Sequence, residues 1–216
     1  AHVVVPEKVK EQRSAENIAT TPILGDAALA EALGPPDLKP GSWAEYAIRT
    51  RGESDARVRF SILLPALDDG WYWLEEAGVN GDGLASAVKL RLHGDPSDPH
   101  NYDRMYVYVA GQAPIEVPID QLPLPDPPKK GAGKVVKGRP ERIEVRAGVY
   151  DKAEPLRLRD VRVWRSRQVP LWGLVKAESP RQTVELIAAG RTGAHSTFPT
   201  GWTDDQSQGK GSESMK

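Results

Sequence analysis

The sequence predicts a mainly β protein, built as a curved antiparallel sheet or unclosed half-barrel with one or two short helices. From Trp43 onward, apolar and polar residues alternate with a period of two in short segments. These segments are bounded by turns drawn from 20 Gly, 19 Pro and frequent Asp. Helical spacing is confined to residues 26–34, where Asp26 is placed to cap, Leu29 and Leu33 lie one turn apart, and Gly34 with Pro35 and Pro36 ends the turn.

Residues 1–22 are polar and without a sustained period, and read as a flexible arm. The first strand spans residues 43–50, with Tyr46 and Ile48 on one face and Arg49 and Arg51 on the other. The second covers 57–64, placing Val58, Phe60, Ile62 and Leu64 opposite Arg57, Arg59 and Ser61 until Pro65 stops it. Asp68-Asp69-Gly70 then turns the chain into an aromatic strand over 71–76, as in an antiparallel hairpin. Further strands are expected at 85–92, 104–110 and 113–117. Five prolines between Pro118 and Pro128 and the run Lys129-Lys-Gly-Ala-Gly-Lys134 make 118–139 a long loop. Strands resume at 141–146, 157–167, 171–178 and 182–189, for about nine or ten in all. The stretch 200–216 is rich in Gly, Ser, Asp, Gln and Lys, with Trp202 as its one aromatic side chain, and reads as a disordered tail. Residues 23–199 are therefore expected to form one β-rich domain.

Composition narrows the function classes. Lys and Arg number 29 against 30 Asp and Glu, a net charge of −1, so no global positive field favours nucleic acid. With no Cys there is no thiolate nucleophile, iron–sulfur cluster or thiol zinc site. No apolar run approaches the roughly 20 residues of a membrane-spanning helix, and the N-terminus lacks the basic and apolar regions of a signal peptide. The chain opens on Ala1, read as the mature end of an exported protein or as a trimmed terminus.

The cluster His93-Gly-Asp-Pro-Ser-Asp-Pro-His100, with Asp103, gathers imidazoles and carboxylates that bind cations elsewhere. Its spacing fits no zinc pattern, and Gly94, Pro96 and Pro99 mark it as a turn, so no metal is expected. Lys130-Gly-Ala-Gly-Lys134 superficially suggests a phosphate loop, but Val135 stands where the Ser or Thr must be. Glu75 and Glu76 lie beside Trp71 and Trp73, rings of the kind that stack on a sugar in a glycosidase. Adjacent strand residues point to opposite faces, so these two cannot form an acid/base pair. The G-x-S-x-G and H-E-x-x-H motifs are missing. Neither an enzymatic activity nor a cofactor is expected.

The aromatic residues fall almost entirely within expected strands, where such side chains usually fill a core. A large curved sheet with one short helix can instead leave its concave face uncovered as a groove for a hydrophobic ligand. Tyr46, Phe60, Ile62, Trp71, Trp73, Trp164 and Trp172 are the candidate wall of that groove.

Three stretches carry a family resemblance: residues 144–150 with their Ala147-Gly148 turn, residues 161–176 with Trp164-Arg-Ser166 and Val169-Pro-Leu-Trp-Gly-Leu-Val-Lys176, and residues 184–190 closing on Gly190. Together they resemble the LolA/LolB-like half-barrel proteins of the bacterial cell envelope. The match covers about 50 residues, with a weaker echo at residues 41–46 and 73–75. Gly148 permits a tight turn, Pro170 ends a strand and Gly173 allows a bend, all devices that curve a sheet. The resemblance implies a periplasmic or otherwise exported envelope location and a concave apolar face that carries a lipid or a lipidated protein. No lipobox Cys is present, so a lipid anchor is not expected. The other reading is a structural module with a filled core, docking an envelope protein on a strand edge or on the loop from Pro118 to Pro128.

Overall fold

The computed structural model describes residues 33–52, 55–63, 70–79, 85–96, 98–121, 134–200 and 202. The helix read over 26–34 lies outside them apart from Leu33 and Gly34, as do the arm 1–22, residues 122–133 of the Pro-rich stretch and nearly all of the C-terminal stretch. Leu33 is fully buried in the main core.

Twelve strands form one antiparallel sheet among the described residues: β1 (Trp43–Thr50), β2 (Ala56–Ile62), β3 (Trp71–Val79), β4 (Ala85–His93), β5 (Tyr102–Val109), β6 (Ile115–Val117), β7 (Val136–Lys137), β8 (Glu141–Val145), β9 (Gly148–Leu158), β10 (Val161–Arg165), β11 (Leu174–Glu178) and β12 (Gln182–Gly190). The order runs β6-β5-β4-β3-β2-β1-β12-β11-β10-β9-β7, with β8 paired to β9 beside this path. The pairing of β1 with β12 joins the strands before the Pro-rich stretch to those after it. β6 and β7 end the path without pairing to each other, so the sheet stays open. The register shifts within four pairings, at Glu45/Tyr46, Arg91/Leu92, Glu141/Ile143 and Trp164/Arg165. Bulges of this kind add twist and bend a sheet.

The alternation holds where it was strongest. β1, β4 and β12 match their expected spans to within a residue. The segment expected as one strand over 157–167 is instead the end of β9, a turn at Arg159-Asp160, and β10. Arg159 adopts φ 55° there without the Gly or Asn that normally announces such a turn. β11 begins at Leu174 rather than Leu171. Residues 166–173 form a turn closed by Ser166 N–H to the Gly173 carbonyl at 2.8 Å, with Leu171 at φ 61° and Gly173 at φ 71°. A Cβ on Gly173 would stand 3.0 Å from the Ser166 carbonyl oxygen, so this corner needs glycine. The stretch read as loop over 118–139 contains the short β7 and one 3-10 turn at Ile119–Gln121.

Register partners share a face, so the pairings divide the sheet into two sides. The inner side carries Ala44, Tyr46 and Ile48 of β1, Val58, Phe60 and Ile62 of β2, and Tyr72 and Leu74 of β3. It continues with Val88, Leu90 and Leu92 of β4 and Met105 and Val107 of β5, all in the main core. A smaller cluster on the outer side joins Leu63, Trp73, Ala87 and Tyr106 to Phe198 from the segment after β12.

Candidate functional site

The seven candidate wall residues do not share one surface. Tyr46, Phe60 and Ile62 lie on the inner side and are 0% exposed. Trp172 reaches them from the turn before β11, its ring meeting Phe60 edge-on at 5.2 Å, while Phe60 meets Tyr46 at 6.3 Å. The Tyr46 hydroxyl donates to the Leu174 carbonyl at 3.3 Å. Burial drives the pKa of this phenol well above the ordinary tyrosine range, and Tyr150 adds to the shift. These four form one aromatic and aliphatic wall.

Trp71 and Trp73 share a face, as their spacing requires, but it is the outer one. Trp73 packs 5.9 Å from the Tyr106 ring, and Trp71 lies 5.6 Å from His93 with the Arg91 guanidinium 5.1 Å above it. Trp164 is also buried and part of the main core cluster, but it stands on the side of β10 opposite Val163, beside Arg162 and Lys176, and its indole donates to Glu141 at 2.5 Å. Alternation fixes which residues of a strand agree with one another. The side that faces the core depends on the neighbouring strands.

Glu75 and Glu76 take opposite faces of β3, as the spacing predicts. Glu75 is buried on the outer side, where it accepts hydrogen bonds from the Ser196 hydroxyl at 2.5 Å, the Thr197 amide at 2.7 Å and the Thr197 hydroxyl at 2.8 Å. This clamp seats Phe198 and Trp202 on the outer cluster, with Trp202 4.8 Å from the Tyr106 ring. The Lys89 ammonium lies over Trp73, Trp202 and Phe198 at 4.5, 5.0 and 5.9 Å. Arg59 stacks 3.9 Å above Trp43, and burial lowers its pKa against the opposing pull of Glu45 and Glu75.

Glu76 points inward. It is flanked in register by Phe60 and Val88, with Leu74 and Gly78 two residues away on the same side. Among the residues that β1 to β5 place on this face, it is the one Asp, Glu, Lys or Arg. It is half-buried and has no hydrogen bond or ion pair among the described residues. Desolvation pushes its carboxyl up to about 8. The Tyr102 hydroxyl is pushed up to about 12, by burial first and then by Glu76, Asp95 and Asp98. Sequence reading weighed Glu76 only as half of an excluded acid pair, although its position next to Glu75 on an alternating strand already placed it on the opposite face.

The His93–Asp103 region is a turn held by hydrogen bonds. Asn101 donates to the Asp95 carbonyl at 2.9 Å, the Tyr102 hydroxyl donates to the Pro96 carbonyl, and His100 Nδ1 sits 2.9 Å from Asp98. Among the described residues no three His, Cys, Asp or Glu side chains converge as a metal site. A groove of about 680 Å³ on the β7–β11 side is lined by Arg139, Arg157 and Arg162 and by Glu141, Asp160 and Glu178. Its formal charges balance, giving it no net attraction for anions.

No family description matches the chain, and no curated protein matches it. Several solved structures share part of its shape. MucB in complex with MucA(peri) is 12% identical, with TM-score 0.31, covering 76% of this chain and 52% of that one, so this chain spans about half its length. A Bacteroides fragilis protein described as exported, with a YmcC-like fold, is 11% identical over 72% of this chain and 98% of its own, with TM-score 0.31. A Parabacteroides distasonis protein described as a lipoprotein is 11% identical over 73% and 100%, with TM-score 0.34. Likeness at this level assigns no function.

Proposed function

We propose that this chain is a non-enzymatic protein of the bacterial cell envelope that receives a hydrophobic ligand, a lipid or acyl chain, on the inner face of its open sheet. The sequence resemblance to LolA/LolB-like half-barrels supports the location and the ligand class. The observation that carries the reading is Glu76. A packed core excludes a carboxyl without partners, because burying it unpaired is costly. Binding sites, by contrast, combine apolar walls with a few polar groups that fix orientation. Glu76 stands among Phe60, Leu74 and Val88, yet is only half-buried. Native mass spectrometry of the purified protein, with titration of a fluorescent fatty acid, tests the reading. A bound amphiphile or saturable probe binding is expected. Finding neither would overturn it.

A second reading has its own observation. Tyr46, Phe60 and Ile62 are completely buried against the chain's own side chains, while the end strands of the sheet expose Ile115 at 51% and Val136 at 57%. This favours a filled core and a partner protein docked on an open edge, since unpaired edge groups are a template for a further strand. Ile115→Lys and Val136→Lys would then abolish partner binding and leave fatty-acid titrations unchanged.

A further inference from the structure

We propose that Glu76 selects the ligand's polar end, and that the inner face takes an amphiphile whose ammonium group pairs with this carboxyl. The inference rests on the ligand-binding reading above and adds the headgroup class.

The argument is one of charge placement. Apart from Glu76, charged side chains of β1 to β5, Glu45, Arg57, Arg59, Glu75, Lys89 and Arg91 among them, stand on the outer side. Glu76 therefore has no cation across the strands that flank it: β2 presents Val58 and Phe60, and β4 presents Val88 and Leu90. The other titratable groups these strands place on that face are the phenols of Tyr46, Tyr72 and Tyr102. All three are held above the ordinary tyrosine range by burial, and so are neutral when the carboxyl titrates. A desolvated carboxylate gains most from a cation with hydrogen-bond donors, which an ammonium group supplies. A carboxylate or phosphate headgroup would meet either repulsion or a neutral acid.

The proton balance follows. Burial holds the Glu76 carboxyl in its neutral form at pH 7. Pairing with R–NH₃⁺ converts it to carboxylate, and its proton leaves to solvent. Binding should therefore release close to one proton per ligand at pH 7, since the group's pKa lies about one unit higher in the free protein.

The test compares three probes of equal chain length, each below its micelle concentration: dodecylammonium, dodecanoate and dodecyl maltoside. Isothermal titration calorimetry in phosphate and in Tris, whose ionisation heats differ, reads affinity and proton release together. Dodecylammonium is expected to bind at least about tenfold more tightly than the maltoside, with a proton released. In the nearly isosteric Glu76→Gln variant, checked for folding by circular dichroism, that advantage and the proton release should both vanish. Equal affinity for all three probes, a preference that survives in Glu76→Gln, or binding of dodecylammonium without proton release would each overturn the headgroup assignment while leaving the hydrophobic site standing. If none of the three binds, both readings fall. Proton release is read on the unmodified protein, so the test does not depend on the variant folding.

Discussion

Glu75 and Glu76 are neighbours in β3 whose carboxyls serve opposite faces of the sheet: one is clamped by Ser196 and Thr197 at 2.5 to 2.8 Å, while the other stands among apolar side chains. The same residue type, one position apart, thus has two physical fates. Satisfied by three donors, a buried carboxylate organises a chain segment. Without a partner among the described residues, it is driven toward its neutral form.

Replacing Glu75 with Ala should release the segment that carries Phe198 and Trp202. Three hydrogen bonds to one buried carboxyl group are lost, and a loss of about 2–3 kcal/mol in unfolding free energy is expected. Urea titration measures the loss, and limited proteolysis should cut between β12 and Trp202 at conditions that spare the native chain. Unchanged stability and unchanged cleavage would show that the clamp holds nothing.

Glu76 makes stability depend on pH in a definite direction. Its folded value of about 8 lies above the ordinary carboxylate value of 4.5. Below about 4.5 both folded and unfolded chains hold the proton, and this group has no effect. Between about 4.5 and 8 the unfolded chain ionises first, so stability falls as pH rises and levels off above 8. The urea midpoint of Glu76→Gln, measured across this window, should fall less steeply than that of the unmodified protein. Parallel curves would refute the assignment.

The aromatic side chains should divide by face. Phe60→Ala removes a ring that is fully buried between Tyr46 and Trp172, and about 3–5 kcal/mol of destabilisation is expected. Trp71→Ala removes a half-buried ring stacked by Arg91 and His93, with an expected cost of about 1 kcal/mol. Thermal melts of the two variants should differ by many degrees. Equal melting temperatures would contradict the assignment of faces.

Gly173→Ala tests the turn before β11. The backbone sits at φ 71° and the new methyl would meet the Ser166 carbonyl at 3.0 Å, so a loss of about 1–3 kcal/mol is expected. Gly111→Ala is the control: its φ of 85° has a similar backbone cost, but nothing lies within 4 Å of the added carbon. A smaller melting-temperature drop for Gly111→Ala isolates the steric part.

Much of the sheet is legible in the residues alone. Val58, Phe60 and Ile62 against Arg57, Arg59 and Ser61 could only be a half-buried strand, and the same period of two sends Glu75 and Glu76 apart. The turn at Arg159-Asp160 was invisible because Arg159 does not advertise a positive φ, so the end of β9 and β10 read as one strand, and the first nine residues of β9 were not read as strand at all. A period of two states which side chains in a strand agree with one another and is silent about which side is covered. Only the tertiary structure decided that Tyr46, Phe60 and Ile62 face inward while Trp71 and Trp73 face outward. That choice comes from pairing β2 with β1 and β3, and β1 with β12 far along the chain, and from the C-terminal segment covering the other side. These are packing decisions between distant segments, and local spacing carries no record of them.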